Sequence, residues 1–267
     1  MIRTTRYKEF ITGVREDALT LGVSCSTKSV VVAEQLGHLG FDFVIVDTEV
    51  LAIDPETVEN MLRAVEVSGA VTMVKAKSND PIVISDMMNA GAPICKIPHA
   101  RSPEDLRRAA DSAFFHPRGH RGLCAASRAN LFGAGLLADL MESTNALGQI
   151  VPILEDREAV DRIDELMAVD GIELYDIGPQ DLAHSYGLSP DKGFANPQVS
   201  RALDKIVESA NKHGKKVMTT PSFGKPLSPE LVKGELVDRG VRTIFLRADL
   251  AFLATGSRNI LKLRELL

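Results

Sequence analysis

The chain has 267 residues, 45% of them hydrophobic, and a formal net charge of −5. That length can bury one large core, and the acidic balance argues against nucleic acid or an anionic membrane surface as the main partner. Three scattered cysteines, Cys25, Cys95 and Cys124, have no metal-type spacing and read as reduced thiols of a cytoplasmic protein. The first ten residues lack the apolar core of a signal peptide, and no apolar run approaches the ~18 residues of a membrane span.

Short apolar runs rich in β-branched residues recur at 19–23, 41–46, 71–74, 94–97, 149–154, 174–177, 216–219 and 243–246. Each has the length of a fully buried parallel strand. Amphipathic stretches separate them. A helix is predicted over 55–67, after the N-cap Asp54, with Val58, Met61, Leu62 and Val65 on one face. Another spans 80–89 and stops near Gly91. Ser102-Pro103-Glu104-Asp105 supplies a cap, a proline at the first position and acids in the first turn. Helical patterns over 158–169, 197–213 and 228–239 follow, the last two closed by Gly214 and Gly240. Eight strands alternating with helices predict a single-domain (β/α)8 TIM barrel. A doubly wound open sheet is the rival, weakened by the lack of a phosphate-binding or dinucleotide glycine signature after the first strand. Residues 112–148 form a long stretch between the fourth and fifth strands and contain Phe114-Phe115-His116-Pro117-Arg118-Gly119-His120-Arg121-Gly122. This basic stretch is either a loop covering the substrate at the carboxyl face or a solvated surface loop.

The chemistry-bearing residues gather at predicted strand ends, where active sites of βα-repeat proteins sit. Glu155 follows the fifth strand, and Ile177-Gly178-Pro179-Gln180-Asp181 makes a strand, a tight turn and an acid at its mouth. Two carboxylates on neighbouring strands suit a hard cation such as Mg²⁺ or Mn²⁺, which a 2-oxo acid would also chelate. They could equally be a salt-bridging acid and a helix cap. Lys75 ends the third strand and Arg121 lies in the long stretch; either can polarise a carbonyl or clamp a carboxylate, and Lys75 is alternatively a Schiff-base amine. Arg247 is a weaker candidate. Asp47 and Glu49 follow the second strand and can accept hydrogen bonds or hold a nearby cation. His99, His116, His120 and His184 fall in predicted loops as candidate bases, none favoured by spacing.

From about Leu21 to Ala254 the chain resembles the HpcH/HpaI family of metal-dependent 2-oxo acid (pyruvate) aldolases. The residues that carry it are Gly40-Phe41-Asp42-Phe43-Val44-Ile45-Val46-Asp47-Thr48-Glu49, Val74-Lys75, Asn79-Asp80-Pro81, 117–122, Glu155 and 177–182. The resemblance implies a hexameric (or trimeric) barrel with its last helix exchanged between copies, and a divalent ion (Mg²⁺, Mn²⁺ or Co²⁺) on Glu155 and Asp181. It also implies a carboxylate site around Gly178, Pro179, Gln180 and Asp181, and a carbonyl compound as second substrate. Three departures stand out: Val50 where the family places a histidine base, Asn89 where it places that base's aspartate, and Lys75 for its arginine, which loses the planar fork. These imply a carbon–carbon lyase with rebuilt acid–base apparatus. The alternatives are a decarboxylase or hydrolase of a 2-oxo or β-keto acid on this scaffold, or a barrel that binds a metabolite without turnover.

Overall fold

Buried aliphatic strands can satisfy their backbones only by pairing, and here each pairs in parallel with its sequence neighbour until the last meets the first. In the computed structural model, which describes residues 5–222, 226–246 and 248–265, eight strands close into a barrel in chain order. They are β1 (Thr20–Cys25), β2 (Phe43–Asp47), β3 (Val71–Lys75), β4 (Ile94–Ile97), β5 (Gln149–Leu154), β6 (Leu174–Ile177), β7 (Lys216–Thr219) and β8 (Thr243–Leu246). The helices are α1 (Thr5–Arg15), α2 (Val30–His38), α3 (Pro55–Ser68), α4 (Pro81–Asn89), α5 (Pro103–Ala113), α6 (Leu137–Leu147), α7 (Arg157–Asp161), α8 (Ile163–Met167), α9 (Pro179–Ser185), α10 (Pro197–Lys212), α11 (Pro229–Glu235) and α12 (Asp249–Leu261). The predicted (β/α)8 barrel is therefore the observed fold. The caps read from sequence operate as expected: Asp54 accepts the Thr57 amide at 2.9 Å, and Ser102 and Asp105 form a reciprocal capping box.

Register decides what faces the interior. Asp47 lies beside Lys75 and Lys75 beside Lys96, while Ile153 lies beside Asp176. The amino end of the barrel is plugged by α1, whose Tyr7, Phe10, Ile11 and Val14 pack under Phe43, Val71, Met73 and Ile94. The Tyr7 hydroxyl donates to the Leu147 carbonyl at 2.7 Å, and Phe10 meets Phe43 edge to face. The plug leaves the carboxyl end as the open mouth.

Two expectations change, and one of the two readings left open for the long basic stretch falls. The pattern over 158–169 is two short helices, because Arg162 (φ −104°, ψ 21°) breaks the turn. The helix expected over 228–239 stops at Glu235, and a 3₁₀ turn, Val237–Arg239, carries the chain to Gly240. Residues 112–148 do not cover the mouth. They begin in the last turn of α5, which has by then returned the chain to the amino end. There Arg128 bonds the Ala90 carbonyl at 2.9 Å and Glu66 at 2.7 Å, fastening the last turns of α4 and α3.

Helix α12 stands apart from the other outer helices. Asp249 is its one buried residue, while Leu250, Leu253, Ile260 and Leu261 are exposed. Asp249 anchors its start to the end of β1, accepting from the Ser26 amide (2.8 Å), the Thr27 amide (3.2 Å), the Thr27 hydroxyl (2.8 Å) and the Cys25 thiol (3.4 Å). Asp249→Ala strands those donors and is expected to lower unfolding free energy by about 2–4 kcal/mol in a urea titration. No described helix is long and apolar enough to cross a membrane.

Candidate active site

A cavity of about 280 Å³ opens at the carboxyl end of the barrel. Asp47, Lys75, Glu155, Gly178, Pro179, Gln180 and Asp181, all singled out from sequence, line it. Glu49 reaches its wall through an ion pair with Lys75. The loop after β2 is held for this purpose. Asp47 accepts the Glu49 amide at 2.9 Å, and the Thr48 hydroxyl donates to the Lys75 carbonyl at 2.7 Å. Burial alone would lower the Lys75 ammonium's pKa. The Glu49 carboxylate beside it, with Glu155 and Asp47 behind, outweighs burial and holds it above the ordinary lysine range.

Glu155 is the buried centre of the site, 2% exposed. It accepts the His99 amide at 2.8 Å. Burial pushes its carboxyl up to about 7, against the pull of Lys75. Gly178 is required by this side chain and not by its own φ of −89°. A Cβ at that position would lie 2.9 Å from the Glu155 Cβ and 3.0 Å from its Oε2. Gly178→Ala is expected to displace the carboxylate, destabilise the fold by about 1–3 kcal/mol, and cost about 10²-fold in turnover through misplacement. Denaturation and steady-state assays check the two arms.

Spacing does not favour His99 over the other histidines, yet the structure sets it beside Glu155. Its backbone takes a positive φ of 52°, uncommon outside glycine. Its Nδ1 is 3.0 Å from Asp156, whose other oxygen meets Arg101 at 3.0 Å. Burial lowers the imidazole's pKa, but Asp156 and Glu155 raise it further, so it lies above the ordinary histidine value. Glu49, His99 and Glu155 each bring a ligand atom within 4.8 Å of the others. Two carboxylates and an imidazole fit a divalent cation. Asp181, expected as a ligand, lines the same cavity from the first turn of α9 but is not in that group.

Two further charged residues, Lys96 and Asp176, reach the cavity without a motif to mark them. They form an ion pair of 2.8 Å with side chains only 2% and 3% exposed, and both line the cavity. The available signal was a charged residue on the inner parity of two otherwise apolar strands, Ile94-Cys95-Lys96-Ile97 and Leu174-Tyr175-Asp176-Ile177.

Arg121 is not at this mouth. It is buried between the last turns of α4 and α5, bonded to Asn89 at 2.9 and 3.2 Å and to the Ala113 carbonyl at 3.2 Å, and stacked over Phe115. Desolvation there pulls its guanidinium down to about 10. The proposed role at the carboxyl face fails because α5 carries the chain away from that face before position 121. His120 shares the displacement and pairs with Asp111, and His116 lies in the same stretch. His184 is exposed near the end of α9, and Arg247 lies outside the described residues.

Residues 22–227 match the profile described as HpcH/HpaI aldolase/citrate lyase. The chain is 32% identical over 198 residues to a 5-keto-4-deoxy-D-glucarate aldolase of Enterobacter sp. (strain 638), covering 74% of this chain and 75% of that protein. It is 30% identical over 195 residues to the Klebsiella pneumoniae protein of the same name, covering 73% and 75%. Among solved structures, an HpcH/HpaI aldolase/citrate lyase family protein from Burkholderia cenocepacia J2315 superposes with a TM-score of 0.87 at 25% identity, covering 96% of this chain and 99% of that one. An HpcH/HpaI aldolase from Desulfitobacterium hafniense DCB-2 shares the fold, with a TM-score of 0.86 at 21% identity over 96% of each chain.

Proposed function

This chain belongs to the HpcH/HpaI aldolase/citrate lyase family and is a carbon–carbon lyase, and on that premise we propose that it is a divalent-metal-dependent aldolase joining or parting a pyruvate-type 2-oxo acid and a carbonyl compound. The observation that carries the reading is the convergence of Glu155, Lys75 and Asp181 on one cavity at the open end of the barrel. Glu155 and Asp181 would hold the ion, with Glu49 supplying a further donor. Such a cation, when bound, offsets negative charge on the oxygens of a 2-oxo acid. Lys75 orients and polarises the carbonyl oxygen. Backbone amides in the first turn of α9, beyond Gly178, receive the substrate carboxylate.

The proton at C3 needs an acceptor, and Val50 offers none. His99, oriented by Asp156, takes that part. Two variants and one reagent test these assignments. In His99→Asn, exchange of solvent deuterium into pyruvate C3 is expected to fall about 10²–10³-fold, while Mg²⁺, Mn²⁺ or Co²⁺ still raises the melting midpoint. Loss of that rise as well would make His99 a ligand instead of a base. Lys75 is held protonated by its carboxylate neighbours, whereas a Schiff base requires the free amine. Borohydride added with pyruvate is therefore expected to leave the protein unlabelled, and labelling at Lys75 would refute the clamp.

The exposed apolar side chains of α12 support exchange of this helix with a second copy, in a homo-oligomer of the trimer or hexamer class. Sedimentation equilibrium checks the assembly. A monomer would overturn the exchange and leave the chemistry standing.

A further inference from the structure

Beneath the Glu155 and Lys75 level, the cavity has a floor that the proposed aldol chemistry does not use. Ile45, Ile153 and Phe245 line this part of the cavity, and apolar residues would serve the fold equally well. Replacing a buried ion pair by packed hydrocarbon is commonly neutral or stabilising. Lys96 and Asp176 stand there instead, with the Lys96 ammonium 4.3 Å from the Phe245 ring centre. Only one oxygen of Asp176 is used. Its Oδ1 is buried with no hydrogen-bond partner among the described residues. The Thr220 hydroxyl, on the wall of the same cavity, is also buried and unpartnered. Buried polar atoms rarely stay unpaired, and two that line one cavity beside an ammonium mark where a ligand's own polar groups go.

We propose that Lys96, Asp176 and Thr220 form a hydroxyl-reading floor that makes this enzyme selective for 2-oxo acid substrates whose inward-reaching end carries hydroxyl groups. An alcohol both donates and accepts. One hydroxyl gives its proton to Asp176 Oδ1 and takes a hydrogen bond from the Lys96 ammonium, and Thr220 serves a second oxygen. A chain without hydroxyls would cover these groups and leave them unpaired, the circumstance in which a polar site rejects an analogue most strongly. The inference rests on the 2-oxo acid reading of the site and adds to it the class of substrate tail.

The test is calorimetric titration of the Mg²⁺-loaded protein with pyruvate, with 2-oxohexanoate and with 6-hydroxy-2-oxohexanoate. The last has no hydroxyl at C4, so aldol cleavage cannot consume it. The hydroxylated acid is expected to bind at least about 10-fold tighter than its plain counterpart. The ratio should fall to near one in Lys96→Met/Asp176→Val and fall in part in Thr220→Val, which is isosteric and serves if the double variant does not fold. Pyruvate binding with a ratio near one in the native protein, or a ratio unchanged in the variants, would overturn the floor and leave the 2-oxo acid reading intact. Failure of all three acids to bind would overturn both.

Discussion

Replacing Glu155 with glutamine is expected to abolish the rise in melting midpoint that Mg²⁺, Mn²⁺ or Co²⁺ gives the native protein. Deuterium exchange into pyruvate C3 should fall at least about 10³-fold, some 4 kcal/mol of transition-state stabilisation. At an ion concentration ~100 times its dissociation constant, binding stabilises the native state by about 2.7 kcal/mol, or roughly 5–8 °C for a chain of this size. The isosteric amide keeps one oxygen and the packing against Gly178 but not the charge. A second readout needs no metal. The folded pKa of Glu155 is raised from the ordinary 4.5 to about 7, so the folded state holds this proton more tightly than the unfolded chain. The resulting stability is complete below pH ~4.5 and is lost as pH climbs through 7. Metal-free native protein should therefore lose on the order of 3 kcal/mol across that window, and Glu155→Gln should not. A variant that still responds to the ion, or that keeps the acid-favouring slope, would remove Glu155 from the centre of the site.

The strands were legible because each is a short β-branched run with a turn on either side, and fully buried parallel strands carry no other pattern. Most of the mouth was legible for a related reason. Lys75 ends a strand and Glu49, Glu155 and Asp181 each follow one, and strand ends in a closed barrel share one rim. The role expected of Arg121 at the mouth fails because charge composition does not say whether a segment precedes or follows the helix that crosses the layer. His99 was underrated because its partners, Glu155 and Asp156, lie more than fifty positions away. Lys96 and Asp176 were hidden by a rule that usually holds, that charge inside a strand pattern marks its solvent face. In a barrel both parities are enclosed, one by the helices and one by the strands themselves.

Removing the ammonium of Lys75 is expected to be nearly as damaging as removing the carboxylate of Glu155, by a different route. Lys75 stands among Glu49, Glu155 and Asp47, paired directly with the first. Lys75→Met leaves Glu49 and Glu155 in a poorly hydrated wall without a cation, and an unpaired buried charge is the costly half of a broken ion pair. Both partners are 17% exposed, so about 2–4 kcal/mol of unfolding free energy should be lost. The folded pKa of Lys75 is raised, so native protein keeps this stability throughout the range below ~10.5 and loses it only at more alkaline pH. The deficit of the variant should accordingly be present at pH 7. A divalent ion supplies positive charge to the same carboxylates, so Mg²⁺ should raise the variant's midpoint more than the native protein's. Exchange at pyruvate C3 should nevertheless stay about 10²–10³-fold down at saturating Mg²⁺, because the ion cannot replace a donor placed at the substrate oxygen. Lys75→Arg separates charge from shape: it should restore stability at pH 7 and recover exchange only in part, since the guanidinium is bulkier and donates as a planar fork. If Met at position 75 left exchange untouched while stability fell, Lys75 would serve only to neutralise its acidic neighbours, and polarisation of the 2-oxo group would pass to His99.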